Sequence, residues 1–183
     1  MTIEWVGPDQ FIYRPDAERP FYFKRANGEI IKPRSIYTDG GSIPRVLWAF
    51  RAYSPWAFGS AYVAHDWLFS AHHCGYAEAE QHTLNTAADV LAECIKTLME
   101  NDQKRALNEN HPNDSLKSPS LLFTIDKAVR SKVAENLWNN GRCQTPPAEL
   151  PQARSFLQPR RPGEIPATKS RLIETYDFDA NKP

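Results

Sequence analysis

Four residues in the first half of the chain have the types and spacing for chemistry: Asp39, His65, Asp66 and Asp89. Asp39 opens Asp39-Gly40-Gly41-Ser42, where two glycines let the backbone turn sharply and present its carbonyls. Such a loop can hold a hard cation by oxygen atoms. His65 and Asp66 lie in the apolar run Ala64-His65-Asp66-Trp67-Leu68-Phe69. A histidine in an apolar stripe is either a satisfied core residue or a base. The carboxylate beside it adds weight to the second reading, because a buried carboxylate needs a partner. Asp89 sits one residue off the apolar face of a later helix, in line with Asn85 and Glu93 at steps of four. Read alone, that line is a wet face. His72, His73 and Cys74 are zinc-ligand types, yet neighbours in sequence cannot close a tetrahedron without ligands from elsewhere. A solvated loop over 70–76 accounts for them as well.

The elements that must position these residues are readable from period and punctuation. Phe11-Ile12-Tyr13-Arg14 and Phe21-Tyr22-Phe23-Lys24 are strand-like, and Asn27-Gly28 turns the second into a β-hairpin over about Phe21 to Lys32. Pro33 and the loop from Tyr37 end it. Ser42 and Pro44 cap a short helical turn through Phe50, and residues 48–58 are rich in aromatic side chains, as a core lid would be. From Pro55 to about Ala71, Phe58, Ala61, Tyr62, His65, Leu68 and Phe69 recur on one helical face. A second helix runs over Glu78 to Glu100, buried through Leu84, Ala88, Leu91, Ile95 and Leu98. Residues 101–120 read as loop. A third helix starts at Ser118-Pro119, buries Leu122, Ile125, Val129, Val133 and Leu137, and ends near Asn140-Gly141. The fold class is therefore α+β: a three-helix core with an N-terminal β-hairpin.

Residues 1–142 form the globular domain. Residues 143–183 hold seven of the fifteen prolines and no apolar period, so an extended or disordered arm is expected. Lys+Arg and Asp+Glu both number 22, which leaves no net field to draw the chain to nucleic acid or an anionic membrane. No apolar run is long enough to span a bilayer, and residues 1–10 lack the pattern of a secretory signal. Cys74, Cys94 and Cys143 form no evident pair, so reduced thiols and a cytoplasmic site of synthesis are the expectation.

Two resemblances follow. Thr38-Asp39-Gly40-Gly41-Ser42-Ile43-Pro44-Arg45, then His65-Asp66-Trp67-Leu68-Phe69, then Ala88-Asp89 and Ala128-Val129-Arg130 resemble a family of unknown function widespread in tailed phages and prophages. Its pattern is TDGxSIPR, HDxLY, AD on a helix and AVR on a last helix, and it covers roughly Phe11 to Gly141. The same order is remotely similar to the secreted His-Asp phospholipases. That likeness implies a phospholipase-like helical core, with calcium held by Asp39, the Gly40 carbonyl and Asp66. It implies His65 as general base and Asp89 as the carboxylate that orients it. Calcium would polarise an ester carbonyl while the histidine deprotonates water. The sequence departs from those enzymes at Phe69, and in having neither a signal nor an evident cysteine pair.

Three functions compete. One is a calcium-dependent His-Asp hydrolase of an ester or lipid. Another is a non-catalytic virion, tail or host-interaction component whose C-terminal arm binds phage structural proteins. The last is a zinc protein using His65, His72, His73 and Cys74. Convergence of Asp39, His65, Asp66 and Asp89 on one cleft discriminates the first.

Overall fold

The computed structural model describes residues 2–7, 10–39, 58–108, 119–148 and 174–177. Chain order begins with β1 (Thr2–Gly7) and β2 (Gln10–Arg14), an antiparallel pair. Ile3 and Val6 are both buried although they stand three positions apart, an odd spacing that would put them on opposite faces of a regular strand. A register shift between Trp5 and Gly7 explains this, because an extra residue turns the strand over between the two side chains. Phe11, Ile12 and Tyr13 of β2 are buried in succession, as befits a strand covered on both faces. β3 (Phe23–Lys24) and β4 (Ile30–Ile31) make the expected hairpin. Its loop is longer than a two-residue turn: Arg25 N–H donates to the Glu29 carbonyl, and Gly28 takes φ +88°. β5 (Ile36–Thr38) returns against β2.

The central helix is α1 (Gly59–His73). Ala61, Tyr62, Val63, Ala64, His65, Trp67, Leu68 and Ala71 are all buried, so α1 is covered almost all round. It packs on β5 and on α2 (Leu84–Asn108), with a 3-10 turn, Ala77–Ala79, between the two helices. α2 buries Ala87, Ala88, Val90, Leu91, Cys94, Ile95 and Met99. It also runs through residues 101–108, where polarity had suggested a loop; its packed N-terminal half carries the polar turns.

Beyond residue 118 the expected single helix is two. α3 (Pro119–Val129) and α4 (Lys132–Asn140) break at Ser131, whose hydroxyl caps α4 by accepting from Ala134 N–H at 3.4 Å. The break rotates the buried face, so Ala134 and Trp138 point inward while Val133 and Leu137 are exposed. Among the described residues the core thus has four helices, where three were expected. A disulfide joins Cys74, just past α1, to Cys143, just past α4, with Cα atoms 4.6 Å apart. The expectation of three reduced thiols is overturned; Cys94 alone is free. Residues 174–177 form β6 (Glu174–Asp177), antiparallel to β1, which completes a four-stranded sheet ordered β5-β2-β1-β6. The arm therefore contains a strand that its lack of apolar period concealed. The expected helical turn after Ser42, most of the aromatic stretch 48–58 and the prolines of residues 149–173 lie outside the described residues. Among the described residues no helix is long and apolar enough to cross a membrane.

Candidate functional site

Adjacent residues on a helix point about 100° apart, and α1 uses this to aim His65 and Asp66 at different neighbours. His65 reaches α2: its Nδ1 lies 2.9 Å from the Ala87 carbonyl. A carbonyl only accepts, so Nδ1 carries the proton and donates it, leaving the lone pair on Nε2. The ring is 6% exposed and lies 5.0 Å from that of Phe69. Burial holds the imidazole below its ordinary pKa, against the opposing effects of the Ala87 hydrogen bond and the Asp39 charge. The neutral ring, the form that can accept a proton, is favoured.

Asp66 reaches β5 instead. Thr38 Oγ1 donates to Asp66 Oδ2. Burial, followed by the negative charge of Asp39, pushes the Asp66 carboxyl well above the ordinary range, with the Thr38 hydrogen bond opposing. Asp39 follows β5 directly and is exposed. The structure thus brings Asp39, His65 and Asp66 into one electrostatic neighbourhood where β5, α1 and α2 meet. Two neighbouring carboxylates, one of them desolvated, repel each other, and a divalent cation relieves such repulsion. Among the described residues, however, no group of three or more His, Cys, Asp or Glu side chains is placed to hold a metal ion. A hard cation takes about six to eight oxygens, so loop carbonyls and water must supply the rest. Gly40, the expected carbonyl ligand, lies outside the described residues.

Asp89 is not part of this neighbourhood. Its carboxylate accepts from Arg130 Nη2 at 2.5 Å and is half exposed. Arg130 also bonds Asp126 at 2.8 Å and Asn85 at 3.3 Å, fastening α3 to α2. The helical period accounts for the miss. Ala87 and Asp89 are two residues apart and point to nearly opposite sides of α2, so the helix that orients His65 does so through its backbone. Asp89 as the orienting carboxylate is corrected to the Ala87 carbonyl.

The zinc constellation is also dispersed. His72 and His73 belong to α1 rather than to a solvated loop. His72 stacks on Trp138 at 4.2 Å, while His73 Nε2 donates to the Leu137 and Trp138 carbonyls at 3.1 Å each. Cys74 is spent in the disulfide. Sequence reasoning missed Thr38, which directly precedes Asp39, as the hydroxyl that holds Asp66. It also missed that Ala88-Asp89 and Ala128-Val129-Arg130 are two halves of one ion pair.

Residues 17–108, half of the chain, match the model of a family described as a protein of unknown function, DUF1353. No curated protein and no solved structure matches the chain.

Proposed function

The chain belongs to the DUF1353 family, whose description names no activity, and from its site we propose a phage- or prophage-derived, calcium-dependent hydrolase of esters or lipids. The observation that carries this reading is the His65 Nδ1 to Ala87 hydrogen bond beside the Asp39–Asp66 pair. It sets the tautomer in which Nε2 can take a proton from water. A carbonyl in this position orients the ring as a carboxylate would, without stabilising the imidazolium by a full charge. Asp39 and Asp66 would hold the cation, with Thr38 fixing the Asp66 carboxyl. Bound there, calcium would supply a Lewis acid for the ester carbonyl and its developing negative charge.

The test is ester release by the full chain from a short-chain phospholipid, with calcium and with chelator. Calcium-dependent turnover is expected, lowered roughly 10²–10⁴-fold by His65→Ala, the usual worth of a general base. Asp89→Asn should keep most of the activity, because Asp89 serves Arg130. Turnover that survives His65→Ala, or none with calcium, rejects the reading.

A second reading is favoured by two observations. His65 is only 6% exposed, and the carboxylate expected to orient it is committed to Arg130. A virion or host-interaction component could retain the scaffold without chemistry, its C-terminal arm binding a phage structural protein. The disulfide suits a part that works outside a reducing cytosol.

A further inference from the structure

Residues 29–34, the segment 78–82 and the α1 side chains of Trp67 and Leu68 line a cleft of about 480 Å³, within the roughly 300–1,000 Å³ of small-molecule sites. None of Thr38, Asp39, His65 or Asp66 lines it. Buried Ile31, Trp67 and Leu68 give it an apolar floor. Its two carboxylates are already paired. Glu29 accepts from Arg25 Nη1 at 2.8 Å and from His82 Nε2 at 2.7 Å, while Glu78 accepts from Arg34 Nη2. The Arg34 guanidinium carbon lies 4.9 Å from the centre of the Tyr76 ring and 5.8 Å from that of Trp67, which steadies its fork beside the cleft. Lys32 is exposed in the same lining and makes no ion pair among the described residues. The lining charge left without a counter-ion is therefore positive. His82 is 8% exposed, and its Nδ1 is buried with no hydrogen-bond partner among the described residues. Nε2 donates to Glu29, so the hydrogen-bonding capacity left to the ring is at Nδ1. A buried nitrogen left unpaired is costly. In the neutral ring it is an acceptor, which a hydroxyl satisfies.

We propose that this cleft binds a small organic acid with an apolar body and a hydroxyl group. The carboxylate meets Lys32 and the donors of Arg34 that Glu78 does not use, the body lies on Trp67 and Ile31, and the hydroxyl donates to His82 Nδ1. A guanidinium already held against two rings loses little freedom on binding, and its fork suits a carboxylate. A single negative charge matches the one unpaired cation, whereas a phosphate dianion would set its second charge against Glu78. His82 Nδ1 is shielded from solvent, so the exposed side chain of Gln81, its neighbour in the lining, must swing aside to admit the hydroxyl. The site is separate from the Asp39–His65–Asp66 neighbourhood and stands whether or not that neighbourhood is catalytic.

Proton–nitrogen correlation spectra of the full-length protein, titrated with 3-phenyllactate, 3-phenylpropionate and 3-phenylpropionamide, test this. Both acids should saturably shift the Trp67 indole and the amides of Ile31, Arg34 and Gln81. The uncharged amide should bind about tenfold more weakly, for want of a charged acceptor. Lys32→Gln, an exposed change, should weaken both acids by about the same factor and leave the amide's affinity alone. Phenyllactate should bind about fivefold more tightly than phenylpropionate, the worth of one neutral hydrogen bond. His82→Phe should erase that preference while both acids still bind. The preference is read by changing the ligand, so the comparison in the parent tests His82 even where His82→Phe fails to fold. Equal affinity of the two acids in the parent overturns the His82 contact. An amide that binds as well as the acids overturns the anion contact. No saturable shift, or shifts centred away from these residues, overturns the cleft as a site.

Discussion

Two arginines each gather several acceptors and join separate parts of the fold. Arg130 brings Asp89, Asp126 and Asn85 together across α2 and α3. Arg25, on the β3–β4 loop, donates to Glu93 of α2 at 2.7 and 2.9 Å and to Glu29 at 2.8 Å. Glu29 in turn accepts from His82 Nε2 at 2.7 Å. Burial works to raise the Glu29 carboxyl, but its hydrogen bonds from Arg25 and His82 outweigh this and hold it below its ordinary value. The consequence for stability has a definite sign. Between the depressed folded value and the ordinary glutamate value of about 4.3, the unfolded chain binds more protons than the folded one. Glu29 therefore contributes fully above that ordinary value, and its contribution is lost as pH falls through the folded value. Glu29→Gln should remove this part of the acid dependence and cost about 1–3 kcal/mol at neutral pH, because Arg25 and His82 keep their burial but lose an ionised acceptor. Urea denaturation followed from pH 7 to pH 3 reads both effects. An acid limb as steep in Glu29→Gln as in the parent contradicts the assignment.

At the level of elements, the Cys74–Cys143 bridge ties the last turn of α1 to the segment leaving α4 and closes a loop of 69 residues. By the chain-entropy relation, a loop of that length is worth about 4 kcal/mol through restriction of the unfolded state. Cys143→Ser should lower stability by roughly that amount in a denaturant titration, and a reductant should lower the parent likewise while leaving the variant unchanged. A parent indifferent to reductant contradicts this. The two cysteines stand 69 positions apart with no pattern to pair them, so only the packing of α4 against α1 could reveal the bond. The same limit explains what else was and was not legible. The α1 stripe, the buried face of α2 and the hairpin at Asn27-Gly28 repeat at local periods, and sequence shows such periods directly. β5 and β6 are short and owe their existence to partners distant in the chain, which no local period encodes, and the register shift in β1 breaks the alternation that would have marked it as a strand. The site divides along the same line. That His65 and Asp66 sit on a buried helix was legible in its apolar period, but which group of α2 meets His65, the Ala87 carbonyl rather than the Asp89 carboxylate, depends on helix rotation, and two residues of offset decide it.

For the molecule as a whole, the sheet edge is the place where the fold meets its surroundings. β1 is covered on one side by β2 and on the other by β6, which pairs Thr2 with Asp177 through to Trp5 with Glu174. After α4 the chain passes close to the sheet, since Arg14 Nη1 donates to the Pro147 carbonyl at 3.0 Å. The arm thus serves its own sheet and, by covering β1, hides a row of backbone donors and acceptors that would otherwise template another chain. Removing residues 144–183 keeps Cys143, the disulfide and all four helices, while it uncovers β1. The expected product is a folded core with a native near-UV spectrum that associates with itself as concentration rises, since an uncovered edge strand recruits another. Sedimentation velocity over a hundredfold concentration range, run beside the full chain, measures this. A truncated core that stays monomeric throughout would show that β1 needs no cover, and the arm would then be left with the partner-binding role alone.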